Sequence, residues 1–138
     1  MREIMWGLIL AASLPTAISG VQAATLVIRA EGIRSDQGIV YAGVCDTTFD
    51  ESTCPYKDRE PARLGTVELR IRNVKPGSYA IAVFHDLNSN ARLDRSFIGL
   101  PSEPYGFSND VGRRSPPDFD RALVTVKDPL TTVVVPVR

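Results

Sequence analysis

From residue 24 onward, apolar and polar positions mostly alternate with a period of two. The clearest case is residues 63–74, where Val67, Leu69 and Ile71 fall on one side and Glu68, Arg70 and Arg72 on the other. That spacing predicts a half-buried strand. Residues 25–33 set Leu26, Ile28 and Ala30 against Thr25, Val27 and Arg29 and predict a second. Residues 39–45 follow the polar, glycine-ended turn 34–38, so these two segments read as a hairpin. After the Lys75-Pro76-Gly77 turn, residues 79–84 are apolar on both faces and predict a central strand. Residues 121–127 and 131–137 close the pattern around Asp128-Pro129, with Pro136 suited to an edge or a strand end because it donates no N–H. No segment carries the 3.6-residue period of an amphipathic helix.

Between the strands, residues 45–61 are polar and loop-like, and residues 86–120 are rich in Asn, Ser, Pro and Gly. Paired strands with such connections predict an all-β fold, an antiparallel two-sheet sandwich of about seven strands. With 138 residues the chain suffices for one domain, expected over residues 24–138. A connection as long as 86–120 is unusual in so small a domain and calls for something that orders it.

Residues 1–23 read as a secretory signal peptide: Arg2, an apolar run over 4–14, Pro15, and small residues ending at Ala23. An N-terminal anchor helix is the competing reading, opposed by Pro15, Ser19 and Gly20 and by an apolar run too short to span a bilayer. The expected location is periplasmic or secreted, with no membrane span once the leader is cleaved. The 16 basic and 16 acidic residues balance, and losing Arg2 and Glu3 keeps the balance, so no electrostatic footprint for nucleic acid or anionic lipid is present. Cys45 and Cys54 flank a short polar segment, which in an exported domain predicts a disulfide. Zinc is the rival, but two thiols and a single histidine leave it short of ligands.

The candidate chemistry gathers just after residues 79–84. Asp86, Asn88, Asn90 and Asp94 place side-chain oxygens at positions one, three, five and nine of a loop, and Arg92 at position seven offers its carbonyl. That spacing suits Ca²⁺, which takes six to eight oxygens. A metal-free reading competes, since Asn and Asp favour such turns through bonds to nearby backbone. Position twelve holds Phe97 rather than a bidentate Glu, so the loop is no EF-hand, and any calcium affinity is expected to be weak, about 10⁻⁴–10⁻³ M. His85 is the only histidine. A hydrolase built on His85 or Glu103 is an alternative, but no Gly-x-Ser-x-Gly elbow accompanies either residue. Glu103, Tyr105, Phe107 and Asn109, with nearby prolines, are candidates for a ligand or partner loop; the competing reading has the aromatic residues plug the end of the sandwich.

Val74-Lys75-Pro76-Gly77-Ser78-Tyr79 leads through the central strand into Asp86-Leu87-Asn88-Ser89-Asn90, then Leu93-Asp94 and Gly99-Leu100-Pro101-Ser102-Glu103-Pro104-Tyr105-Gly106-Phe107-Ser108-Asn109. The run resembles the bacterial family called domain of unknown function 2141, whose pattern is D-x-N-x-N-G-x-L-D followed by G-x-P-x-E-x-Y-G-F-S-N. The likeness continues through Pro116-Pro117-Asp118-Phe119. One departure is Ala91, where the family places Gly. The resemblance implies an exported prealbumin-like or immunoglobulin-like sandwich with no established activity.

The expectation is therefore a binding or accessory module of the bacterial periplasm or cell envelope. Loops 86–94 and 99–110 would form its functional end, facing an envelope protein or a glycan. A structural subunit that assembles through the edge at 131–137 is a further alternative.

Overall fold

The structure, a computed structural model, describes residues 12–15, 17, 20 and 22–138, so the leader expected at 1–23 lies largely outside the described residues. Eight strands follow in chain order: β1 (Ala24–Ile33), β2 (Ile39–Cys45), β3 (Tyr56–Pro61), β4 (Gly65–Val74), β5 (Gly77–Asp86), β6 (Tyr105–Phe107), β7 (Leu123–Val126) and β8 (Leu130–Pro136). The smaller sheet runs β4-β1-β8 and the larger β3-β2-β5-β6, with β7 also on β5. The sandwich expected from the alternation is present, with one strand more than predicted. Among the described residues no helix is long and apolar enough to cross a membrane.

The inner faces are those the alternation marks. Leu26, Ile28 and Ala30 of β1 and Val67, Leu69 and Ile71 of β4 meet Val40, Ala42 and Val44 of β2 and Ile81 and Val83 of β5. Each full burial of a Leu, Ile or Val contributes about 1.5–3 kcal/mol, so this layer is the main source of stability. Glu68, Arg70 and Arg72 face water as expected. Strand β5, apolar on both faces, is central, bonded to β2 on one side and to β6 and β7 on the other.

Three expectations need correction. First, β1 and β2 form no hairpin: β1 pairs with β4 and β8, whereas β2 pairs with β3 and β5. The 34–38 turn instead carries the chain from one sheet to the other. Gly38 makes that passage possible, since its φ is +79° and a Cβ there would stand 1.9 Å from the Asp86 carbonyl oxygen. Second, the sandwich is not purely antiparallel, because β8 runs parallel to β1 from Thr25↔Leu130 to Glu31↔Pro136. Strands β7 and β8 belong to different sheets, so their connection is a crossover and fixes no antiparallel pair. Third, the segment 45–61 is not all loop. Its second half is β3, an edge strand of charged residues whose composition hides it.

The sheets are tied at their margins. The Arg70 N–H of β4 donates to Asp58 Oδ2 of β3 at 3.2 Å. Beyond β8, Arg138 and Tyr105 exchange backbone hydrogen bonds, each 3.0 Å, so the end of a small-sheet strand docks on β6 of the larger sheet. Gly106 lets it pass, as a Cβ there would lie 1.9 Å from the Pro136 carbonyl oxygen. At another corner the Tyr79 hydroxyl donates to the Lys75 carbonyl at 2.6 Å, with the Tyr56 ring edge-on at 5.8 Å. Burial, then the Tyr56 hydrogen bond, pushes the Tyr79 hydroxyl up to about 12. The predicted disulfide Cys45–Cys54 is formed. In the chain-entropy account, closing so short a loop contributes roughly 2–3 kcal/mol.

Candidate functional site

Immediately after β5 the chain folds back over its own hydrogen-bonding side chains. Asp86, fully buried, accepts from the backbone N–H of Asn90 (3.1 Å) and of Ala91 (2.8 Å), one on each carboxylate oxygen. Asn88 Oδ1 accepts from Asn90 N, and Asn90 Oδ1 from Arg92 N. Both amide groups then turn their Nδ2 toward Asp94, with contacts of 2.5 Å from Asn88 and 2.8 and 3.0 Å from Asn90. This is the Asx-turn arrangement. Of the five candidate metal ligands, the side chains of Asp86, Asn88, Asn90 and Asp94 are joined in this network, and the two Asn amides present N–H to Asp94 rather than oxygen to a common centre. Among the described residues no group of three His, Cys, Asp or Glu side chains is placed to hold a metal ion. Ala91 takes the φ of +62° that the family's Gly would adopt freely, at a cost of about 1–2 kcal/mol.

A second buried carboxylate completes the loop. Glu103 accepts from Leu87 N at 2.9 Å with Oε1 and from Asp94 N at 3.0 Å with Oε2, pinning both ends. It therefore faces backbone. His85 is 1% exposed and points into the sandwich, where Nε2 meets the Gln37 carbonyl at 2.7 Å. That contact fastens the β1–β2 turn. Asn109 is also a fastener, its amide donating to the carbonyls of Arg121 and Leu123 at the C-terminal end of the short helix α1 (Phe119–Ala122). At the tip of the same long connection, Phe97, Ile98 and Leu100 are exposed.

Tyr105 and Phe107 stand elsewhere, on the outer face of the larger sheet. Strand register lines up Arg59, Tyr41, Phe84 and Tyr105 across β3, β2, β5 and β6. The next row is Lys57, Gly43, Ala82 and Phe107. Tyr41 and Phe84 stack at 5.1 Å with their planes 10° apart. Beside them Gly43 and Ala82 supply almost no side chain, and the floor drops. Beyond that gap rise the disulfide and Phe49, which packs on Phe107 at 4.7 Å and on Phe119 at 5.1 Å. Leu93 and Arg95 bound the cleft from the long connection, and its volume is about 720 Å³. That size is in the range of small-molecule sites.

The charged lining residues are Lys57, Arg59 and Arg95 against Glu51 and Asp58. Among the described residues, none of the three cations makes an ion pair within 4.0 Å. Arg95 does donate to the Gly99 carbonyl at 3.1 Å. Midway along the disulfide loop, hydrogen bonds from the Ser52 hydroxyl and backbone hold the Asp50 carboxyl below its ordinary value, with a smaller pull from Lys57.

Gly43 is not required by the backbone. Its φ is not among the positive ones, and an added Cβ would meet only the Cys45 and Cys54 sulfurs, at 3.8 and 3.9 Å. A strand glycine costs about 0.5–1 kcal/mol relative to Ala, and often marks a close approach of something else. The alternation of aromatic and small residues at Tyr41/Gly43 and Phe84/Ala82 was a signal available in the sequence. Without the strand pairing, however, it does not show that the two gaps adjoin.

No curated protein matches the chain, and neither does any solved structure. A family described as uncharacterized protein conserved in bacteria (DUF2141) matches over residues 28–134, from β1 through the middle of β8. That span takes in both sheets, the Asp86–Glu103 loop and the cleft, so the chain belongs to this bacterial family.

Proposed function

We propose that the protein is an exported binding module of the bacterial periplasm or cell envelope, and that its ligand site is the cleft over Gly43 and Ala82. The observation that carries this is the gap itself. A half-open trough of about 720 Å³, walled by aromatic rings, lies over a glycine the fold does not need. The leader pattern at 1–23 and the disulfide support export. In this reading the self-capped loop after β5 is scaffolding: it carries Leu93 and Arg95 to the cleft, and any calcium held by Asp86, Asn88, Asn90, the Arg92 carbonyl and Asp94 would act structurally. A hydrolase using His85 finds no support in a ring sealed inside the sandwich.

The test is an amide chemical-shift screen of the oxidised protein against a panel of saccharides, short peptides and small organic acids, repeated on Gly43→Leu. Shifts confined to β2, β5 and β6 and abolished by Gly43→Leu support the reading. Binding that survives the substitution, or no response in the cleft to any compound, defeats it.

A further inference from the structure

From the lining of this cleft we infer the chemical class of its ligand: a small amphipathic anion, with a flat apolar ring body and one carboxylate or sulfonate head. The inference rests on the cleft being the binding site and goes further, to what the cleft selects. Its walls and floor decide the body. Gly43 and Ala82 offer no side-chain donors or acceptors, and their backbone groups belong to the β2–β5 ladder. The disulfide and Phe49 on the far side offer none either. A hydroxyl-rich sugar laid here would exchange water for unpaired surroundings on two sides, a loss for every hydroxyl buried. An apolar ring gives up nothing and gains contact with the Tyr41 and Phe84 rings. Tyr41 and Cys45 are four residues apart, about 13 Å along a strand, which leaves room for a ring system between the two walls.

The rim decides the head. Lys57 and Arg59 stand on β3 at one edge of the two rows, and Arg95 lines the same cleft from the long connection. Against these three cations the cleft sets the carboxylates of Glu51 and Asp58, the latter also accepting from the Arg70 N–H, which leaves a net charge of one positive unit. An excess of positive charge beside an apolar slot complements one anionic group, and guanidinium suits a carboxylate in two-point contact.

The probes are 2-naphthoate, its neutral counterpart 2-naphthylmethanol, and tri-galacturonate, titrated by calorimetry into the full oxidised protein. Saturable naphthoate binding is expected, weakened about tenfold or more in Lys57→Gln/Arg59→Gln, with less than about twofold change for naphthylmethanol. Gly43→Leu should abolish binding of both, and Ala82→Leu provides the same block should the first variant fail to fold. Equal affinity for naphthoate and naphthylmethanol would overturn the anionic head. Tri-galacturonate binding in the cleft, with naphthoate inert, would overturn the apolar body and leave the cleft as a binding site. Naphthoate binding indifferent to both blocking variants would remove the cleft from consideration, and so would silence from all three probes.

Discussion

Removing the two buried carboxylates that hold the loop after β5 tests whether that loop is fastened by its own side chains. Asp86 and Glu103 together accept four backbone N–H groups, those of Asn90, Ala91, Leu87 and Asp94. Hydrogen bonds to a charged acceptor contribute about 1.5–3 kcal/mol each, so either truncation to Ala forfeits at most about 3–6 kcal/mol. Leu87, Asn90 and Ala91 are exposed, so water takes over part of the donor load once a carboxylate is gone. The expected loss is then about 2–3 kcal/mol for each of Asp86→Ala and Glu103→Ala, roughly 10 °C in melting temperature for a domain of this size. The double variant should lose about 1–2 kcal/mol less than the sum, because a loop released by one truncation has little left to lose from the other. Urea unfolding with and without a chelator measures all of this. Single losses under about 0.5 kcal/mol, or strict additivity, would refute the reasoning. A loss seen only when calcium is present would reassign the loop to the ion.

Ala91→Gly should raise stability by about 0.5–1 kcal/mol, because relief at a φ of +62° outweighs the added freedom of the unfolded chain; an unchanged urea midpoint would contradict it. His85→Ala should cost about 2–4 kcal/mol by opening a cavity and orphaning the Gln37 carbonyl, while binding in the cleft persists; unaltered stability would show that the histidine does not fasten the turn. Tyr79 predicts an alkaline limit. Its hydroxyl titrates near 10.0 in the unfolded chain and at about 12 in the fold, so its contribution is intact below pH 10 and is lost as pH rises toward 12. In Tyr79→Phe the urea midpoint should fall less steeply across that window than in the wild type.

How much of this could be read from the sequence depends on whether a feature is local. The inner faces of β1, β4 and β5 were legible because burial imposes a two-residue period on each strand by itself. The Asp86–Asp94 turn was legible for a similar reason, its hydrogen bonds spanning two to six residues. Pairing was another matter. β1 and β2 alternate equally well whether they are partners or lie in opposite sheets, so the hairpin was an inference from proximity alone. β3 alternates charge with charge after Tyr56 and leaves no hydrophobic period. The cleft is the extreme case: Lys57, Gly43, Ala82 and Phe107 share one row only after three separate registers are fixed. Glu103 was marked as a candidate for a ligand or partner loop, and only the fold of the intervening residues reveals the two N–H groups it serves.

One wall of the cleft is a covalent bond between Cys45 and Cys54, with Phe49 carried on the loop that it closes. Each strand of the sheet floor is held by its ladder whatever the state of the thiols, whereas this wall depends on oxidation. A chain kept reduced can keep its sandwich and still lack one wall of the cleft. On the reading proposed above, ligand capture requires the oxidised chain, and reduction should weaken it without dismantling the sandwich.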